Sequence, residues 1–156
     1  MNGSVTVHIA APVETVWALV SDITRVGEFS PETFEAEWLD GAPGPRVGAR
    51  FRGHVRRNGI GPVYWTICTV VAADPGREFA FEVHGPGGTI VNTWRYRLEA
   101  CSDGTKVTES FALPATPANR IYWLLAGWAR LPANLRGMRT TLEKIKAIAE
   151  RDPTPA

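Results

Sequence analysis

The sequence has few of the residues that would commit it to disulfides, export or membrane insertion. Its two cysteines, Cys68 and Cys101, are too few for a disulfide framework in 156 residues, so we expect a reducing, cytoplasmic environment. The N-terminal residues lack the basic start and apolar core of a signal peptide, and no apolar run is long enough for a membrane span. The net charge of +1 gives no reason to expect binding to nucleic acid or to an anionic membrane.

Short motifs that carry known chemistry are also missing. The chain has no glycine-rich phosphate loop, no cysteine and histidine spacing typical of metal sites, and no nucleophile elbow. Its three histidines, His8, His54 and His84, fall on three different predicted strands. We therefore expect neither a metal nor a cofactor.

Aromatic residues are abundant by comparison. Six tryptophans in 156 residues are a high number for a side chain that is large and whose N–H needs a partner when it is buried. Such residues either fill a core or line a cavity, and composition alone leaves both interpretations open.

Hydrophobic periodicity predicts an α+β chain. The stretch SVTVHIAAP alternates as a half-buried strand, VETVWALVSD has the spacing of an amphipathic helix, and ITRVGEF predicts a second short helix. Six further alternating segments follow, separated by turn sequences such as NGIGP, DPGR and SDG. We predict about seven antiparallel strands, two short helices after the first strand, and one domain over residues 1–150.

The last predicted hairpin has a register that can be counted by hand. A two-residue loop at Ser102–Asp103 places Tyr96 opposite Glu109 and Trp94 opposite Phe111, on an otherwise apolar face. Alternation puts Asn92 on the same inner face. Burial without a cationic partner predicts a pKa for Glu109 above its usual value of about 4.3.

The hairpins before it are harder to place. The same count points Trp65, Ile67 and Val71 outward, where they would form an exposed apolar row able to support a homodimer. A β-bulge that turns part of the strand around is the alternative.

A long helix ends the chain. Its apolar stripe passes through Pro132 without losing phase, so we expect this proline to bend the helix rather than end it, and a cavity to lie beneath the first half. We expect residues 151–156 to form a flexible tail. The stripe consists of Ile121, Leu124, Trp128, Leu131, Leu135, Met138, Leu142, Ile145 and Ala149.

The chain resembles the helix-grip (START-like, SRPBCC) superfamily, and within it the bacterial polyketide cyclase/dehydrase-like branch. The resemblance is carried by IAAPVETVWALVSDITRVGEFSPE, GARFRGH, TVVAADPGREFAFEV, TWRYRLEACSDGTKVTES and the terminal helix, which together cover nearly the whole chain. It implies a curved antiparallel sheet wrapped around the long C-terminal helix. It leaves function open, because this fold serves binding proteins, cyclases and chaperone activators.

We expect the function to be binding of a hydrophobic or aromatic small molecule, lipid-like or polyketide-like, between sheet and helix. The alternatives are an aromatic polyketide cyclase/dehydrase-like enzyme, with Glu109 and Tyr96 as its candidate catalytic pair, and a protein-binding module of the chaperone-activator kind. Glu109 could equally be a structural carboxyl. The predicted ligand-binding residues are Phe29, Phe34, Trp38, Phe51, Phe81, Asn92, Trp94, Tyr96, Glu109, Phe111, Leu124, Trp128, Leu131 and Leu135.

Overall fold

The protein is one antiparallel sheet packed against one long helix. The computed structural model describes residues 1–56 and 61–151, apart from the side chains of residues 118, 122 and 126–129. The strand order is β1-β7-β6-β5-β4-β3-β2, so the sheet is a meander to which the first strand is added beside the last. The elements are β1 (Asn2–Ile9), α1 (Val13–Ser21), a 3₁₀ helix (Ile23–Glu28), β2 (Thr33–Trp38), β3 (Arg50–Arg56), β4 (Val63–Asp74), β5 (Glu78–His84), β6 (Ile90–Cys101), β7 (Gly104–Ala112) and α2 (Pro117–Arg151).

This architecture confirms the predicted helix-grip fold. The short helices form where Pro12 precedes α1 and where the Asp22 carboxylate accepts a hydrogen bond from the backbone N–H of Thr24. Of the predicted tail, residues 152–156 lie outside the described part of the chain, and Arg151 is the last residue of α2.

The β6–β7 hairpin has the predicted register. Tyr96 pairs with Glu109 and Trp94 with Phe111. On the other side of β7, β1 places Val5 beside Glu109. Glu109 therefore lies on a central strand, between a tyrosine and a valine.

A bulge in β4 lies too far along the strand to change the direction of Trp65 and Ile67. The register of β4 against β5 shifts between Val70 and Ala72, beyond Trp65 and Ile67, so the bulge does not turn those two residues inward. Trp65 lies on the outer face, where its ring stacks on the His54 ring with centroids 4.2 Å apart. The Arg52 guanidinium carbon lies 4.4 Å from the Trp65 ring centroid, which partly covers the predicted apolar row.

Helix α2 is longer than the sheet beneath it. Its 35 residues span about 52 Å, whereas a strand of 12 residues spans about 40 Å. The second half of the stripe, including Met138, Leu142 and Ile145, is fully buried, whereas Leu124 in the first half is exposed. The helix continues through Pro132.

Candidate ligand-binding cavity

A cavity of about 170 Å³ lies between the inner face of the sheet and the middle of α2. Its walls are mostly apolar. The short helices and the segment after them contribute Val20, Ile23, Val26, Phe29, Ser30, Pro31 and Glu32, the strands contribute Thr33, Ala36, Phe51, Gly53, Val55, Tyr64, Thr66, Cys68, Phe79, Phe81, Val83, Val91, Asn92, Trp94, Tyr96 and Glu109, and α2 contributes Arg130, Ala133, Asn134, Gly137, Met138 and Thr141.

The cavity opens at one end of the sheet. The end of β3, the start of β4, the turn at 85–89 and the start of α2 all lie at this end, because the strands run antiparallel and alternate in direction. Exposed lining residues, Pro31, Tyr64 and Val91, are found there, whereas Phe79 and Met138 are buried deeper. We call it the mouth end.

A chain of aromatic rings forms one wall. The rings of Phe51 and Phe81 have centroids 5.1 Å apart, and those of Phe79 and Phe81 are 5.9 Å apart. The β3–β4 pairing sets Gly53 opposite Thr66 and Phe51 opposite Cys68. These small partners leave space beside the rings, which close packing by large side chains would fill.

The inner face of β6 and β7 contains a buried carboxyl group. The Tyr96 hydroxyl donates a hydrogen bond to Glu109 Oε1 at 3.0 Å, and both side chains are buried. Loss of water around the carboxyl raises the pKa of Glu109 to about 8, although the bond from Tyr96 acts in the opposite direction. The direction agrees with the prediction. Glu109 is thus mostly protonated at neutral pH.

Two buried oxygen atoms face this cavity without a hydrogen-bond partner among the described residues. They are Glu109 Oε2 and Asn92 Oδ1. Buried polar atoms are nearly always hydrogen-bonded in folded proteins, and leaving one unsatisfied costs about 1–3 kcal/mol. Both atoms are therefore available to a bound molecule or to water.

Seven predicted site residues line the cavity: Phe29, Phe51, Phe81, Asn92, Trp94, Tyr96 and Glu109. Two others pack beside residues of its walls. Trp38 packs edge-on against Phe51 at 5.7 Å, and the ring of Phe111 lies 5.6 Å from Trp94 and 6.3 Å from Trp123.

Four more predicted site residues lie away from the cavity. Phe34 is turned to the outer face, 4.4 Å from the His54 ring, because the register of β2 shifts between Thr33 and Glu35. Leu124 is exposed where α2 extends past the sheet. Leu131 and Leu135 pack over Gly3 of β1, where a Cβ would lie 3.0 Å and 3.4 Å from their methyl carbons. The side chain of Trp128 lies outside the described residues.

The described side chains of α2 that line the cavity run from Arg130 to Thr141, in the middle of the helix. The side chains of residues 126–129 lie outside the described residues, so the expected extension of the cavity beneath the first half stays a prediction. Sequence reasoning missed this lining, although a signal was present. Arg130, Asn134, Gly137 and Thr141 recur at spacings of four, three and four, which places small and polar residues on one helix face beside the apolar stripe.

No group of three or more histidine, cysteine or acidic side chains among the described residues could hold a metal ion. Within the same residues, no helix is long and apolar enough to cross a membrane. The cavity thiol, Cys68, is buried, and desolvation raises its pKa to about 12. It is inert as a nucleophile at neutral pH.

The family model for polyketide cyclase/dehydrase and lipid transport matches residues 2–150. The chain belongs to this family. Among solved structures, the polyketide cyclase-like protein Cgl2372 from Corynebacterium glutamicum is 31% identical, with a TM-score of 0.63 over 97% of this chain and 93% of that one. No curated protein sequence matches significantly.

Two more distant structures show the same fold. Protein Ms6760 from Mycobacterium smegmatis is 20% identical, with a TM-score of 0.66 over 96% of this chain and 91% of that one. The di-domain ARO/CYC protein StfQ from the steffimycin biosynthetic pathway is 14% identical, with a TM-score of 0.72 over 96% of this chain and 50% of that one. Family membership accounts for the sheet and the helix.

Proposed function

We propose that this member of the polyketide cyclase/dehydrase and lipid-transport family binds a small hydrophobic or aromatic molecule in the cavity. The observation that carries the proposal is the pair of unpartnered oxygens, Asn92 Oδ1 and Glu109 Oε2, inside an apolar enclosure. Ligand sites combine apolar walls with a few converging polar groups in this way. A ligand that satisfies both oxygens recovers the free energy that their burial costs.

The two polar groups indicate which ligands fit. Because Glu109 is mostly protonated at neutral pH, Oε2 can donate its proton to a carbonyl or hydroxyl oxygen. Asn92 and Tyr96 are four residues apart on β6, about 13 Å, with Trp94 between them. A neutral molecule with an apolar body against Trp94 matches this arrangement if a hydroxyl at one end donates to Asn92 Oδ1 and a carbonyl or hydroxyl oxygen at the other end accepts from Glu109 Oε2.

The cavity volume limits ligand size. At about 170 Å³ it is smaller than the 300–1,000 Å³ of typical drug-sized ligand sites. A compact ligand therefore fits the enclosed part, and a longer one would have to extend through the mouth past Tyr64 and Val91.

Native mass spectrometry of the purified protein tests for a co-purifying molecule, and titration with the neutral dye N-phenyl-1-naphthylamine tests for an accessible apolar site. We expect saturable dye binding that is weakened about tenfold by Trp94→Ala. Trp65→Ala is the matched control, because Trp65 is an exposed tryptophan on the outer face. Absence of both an adduct and saturable dye binding, or equal weakening by the two variants, would contradict the proposal.

A second function, cyclase/dehydrase-like catalysis, is supported by the carboxyl group with a pKa of about 8. A group that titrates near neutral pH can deliver a proton to a substrate oxygen and later recover it. Glu109→Gln keeps the shape of the side chain and removes the proton. If Glu109 is a general acid, turnover of a poly-β-ketone substrate falls by about 10²–10⁴-fold while substrate binding is kept. If binding is the whole function, the same substitution alters affinity alone.

A further inference from the structure

The exposed apolar residues of this protein are concentrated at the mouth end. The described residues include ten large hydrophobic side chains that are exposed, and nine of them lie on elements at this end. Val47, in the loop that leads into β3 at the opposite end, is the exception. A patch so confined to one end indicates an interaction surface rather than scattered surface residues.

The most exposed members lie on the first half of α2. Ile121, Leu124 and Leu125 are 61%, 81% and 70% exposed, and their spacing puts them on neighbouring positions of the helix surface. Ile121 and Leu124 belong to the stripe whose later members, such as Leu142, seal the core. The stripe is uncovered here because α2 extends past the sheet.

The charges on α2 before Glu143 have one sign, whereas the β2 side of the mouth end also carries Glu32. No aspartate or glutamate occurs between Glu109 and Glu143, whereas that segment contains four arginines. None of the four forms an ion pair with a described residue. On the outer face of the sheet, by contrast, Arg50, Arg52 and Arg95 are each paired with a carboxylate. The four helix arginines are Arg120, Arg130, Arg136 and Arg139.

We propose that the mouth end docks onto the surface of an anionic lipid bilayer. Exposed leucines beside arginines, with no acidic residue among them, are the pattern of helices that lie in the membrane interface. The net charge of +1 hides this pattern, because the compensating acids lie elsewhere on the molecule. A second copy of the chain is a poorer partner, because a two-fold contact would bring the same unpaired arginines face to face.

The docking orientation has a consequence for the cavity. Tyr64 and Val91, which flank its opening, lie at the same end as Leu124 and Leu125. On a bilayer the cavity would open toward lipid rather than toward water. The docking proposal itself rests on the surface alone, so it does not depend on whether a ligand is bound.

Flotation with large unilamellar vesicles tests the proposal. We expect the full chain to float with vesicles of 70% phosphatidylcholine and 30% phosphatidylglycerol at low salt. Binding to pure phosphatidylcholine vesicles should be weaker, as should binding in 0.5 M salt, since salt screens the arginines. The double substitution Leu124→Ser/Leu125→Ser should lower the partition coefficient at least about tenfold. Arg120→Gln and Arg136→Gln should each lower it about fivefold at low salt.

Matched controls are available on the same molecule. Val47→Ser removes an exposed apolar residue at the opposite end, and Lys144→Gln removes an exposed cation about two helical turns further from the mouth end than Arg136. Both should leave flotation unchanged. All changed residues are at the surface, and an unchanged thermal transition confirms that each variant is folded.

Three outcomes would overturn the proposal. Wild-type protein could fail to float with the anionic vesicles at low salt. Val47→Ser could reduce flotation as much as Leu124→Ser/Leu125→Ser. Light scattering could show a dimer that the leucine substitutions dissociate, without vesicle binding, which would assign the surface to a second copy. A protein that floats but takes up no ligand would support docking and contradict the binding function.

Discussion

Protonation of Glu109 should make the stability of this protein depend on pH in an unusual direction. The carboxyl is buried beneath α2, and its pKa rises from 4.5 to about 8 in the folded state. Between these two values the folded protein keeps the proton and the unfolded chain has released it. The unfolded state thus binds fewer protons, so the free energy of unfolding decreases as the pH rises through this window.

The size of the effect follows from the difference between the two pKa values. Each pKa unit corresponds to about 1.36 kcal/mol, so the full rise corresponds to about 5 kcal/mol. This contribution is fully present below pH 4.5 and is lost once the pH exceeds about 8. Tyr96 does not titrate in the window, because burial and the neighbouring carboxyl hold its pKa well above 10.

Urea denaturation of the wild type and of Glu109→Gln between pH 4.5 and 9 measures this contribution. Glutamine has the shape of the protonated carboxyl and does not titrate, so the two proteins should be similar in stability at pH 4.5. The variant should then be more stable than the wild type by several kcal/mol at pH 9. Other titrating groups contribute equally to both proteins and cancel.

Glu99→Gln is the matched control, because Glu99 is an exposed residue of β6 that pairs with Lys106 at the surface. Its stability should follow the wild-type pH profile. If the wild type and Glu109→Gln instead gave parallel profiles from pH 5 to 8, the carboxyl would be hydrated or paired in solution. The catalytic role and the neutral-ligand preference would then both lose their basis.

Three further predictions concern stability. Leu142→Ala should lower the free energy of unfolding by about 2–5 kcal/mol in urea melts, whereas Leu124→Ala should change it by less than about 0.5 kcal/mol, since Leu142 is fully buried and Leu124 exposed; equal effects would mean that α2 packs differently. Pro132→Ala should raise the thermal midpoint, with a gain in stability of up to about 3 kcal/mol, because it restores a helical N–H. It should also weaken dye binding, because a helix without the expected bend leaves less space beneath it. Lower stability with unchanged dye binding would show that the proline serves packing. Gly27→Ala should destabilise the fold by about 1–3 kcal/mol or more, since a Cβ would lie 2.1 Å from the Phe34 carbonyl oxygen, and an unchanged melt would contradict that close approach.

The sequence alone determined the elements of the fold and part of the site. Strand alternation set the β6–β7 pairing, because a shift of one residue would have exposed Trp94 and buried charged side chains. The same count placed Glu109 opposite Tyr96 and predicted the direction of its pKa change. These features depend on neighbours along one hairpin, which a sequence contains in full.

Tertiary structure decided where each face meets the rest of the protein. Helical periodicity puts Leu124 and Leu142 on one stripe, but their burial depends on how far the sheet extends beneath α2, which periodicity does not contain. Phe34 faces outward because of a local shift in register, and no residue pattern in β2 announces that shift. The cavity lies under the part of α2 that includes Asn134, because it occupies the space left between the sheet and the helix. Such a space is a property of packing across distant segments, and the sequence specifies it only through the folded chain.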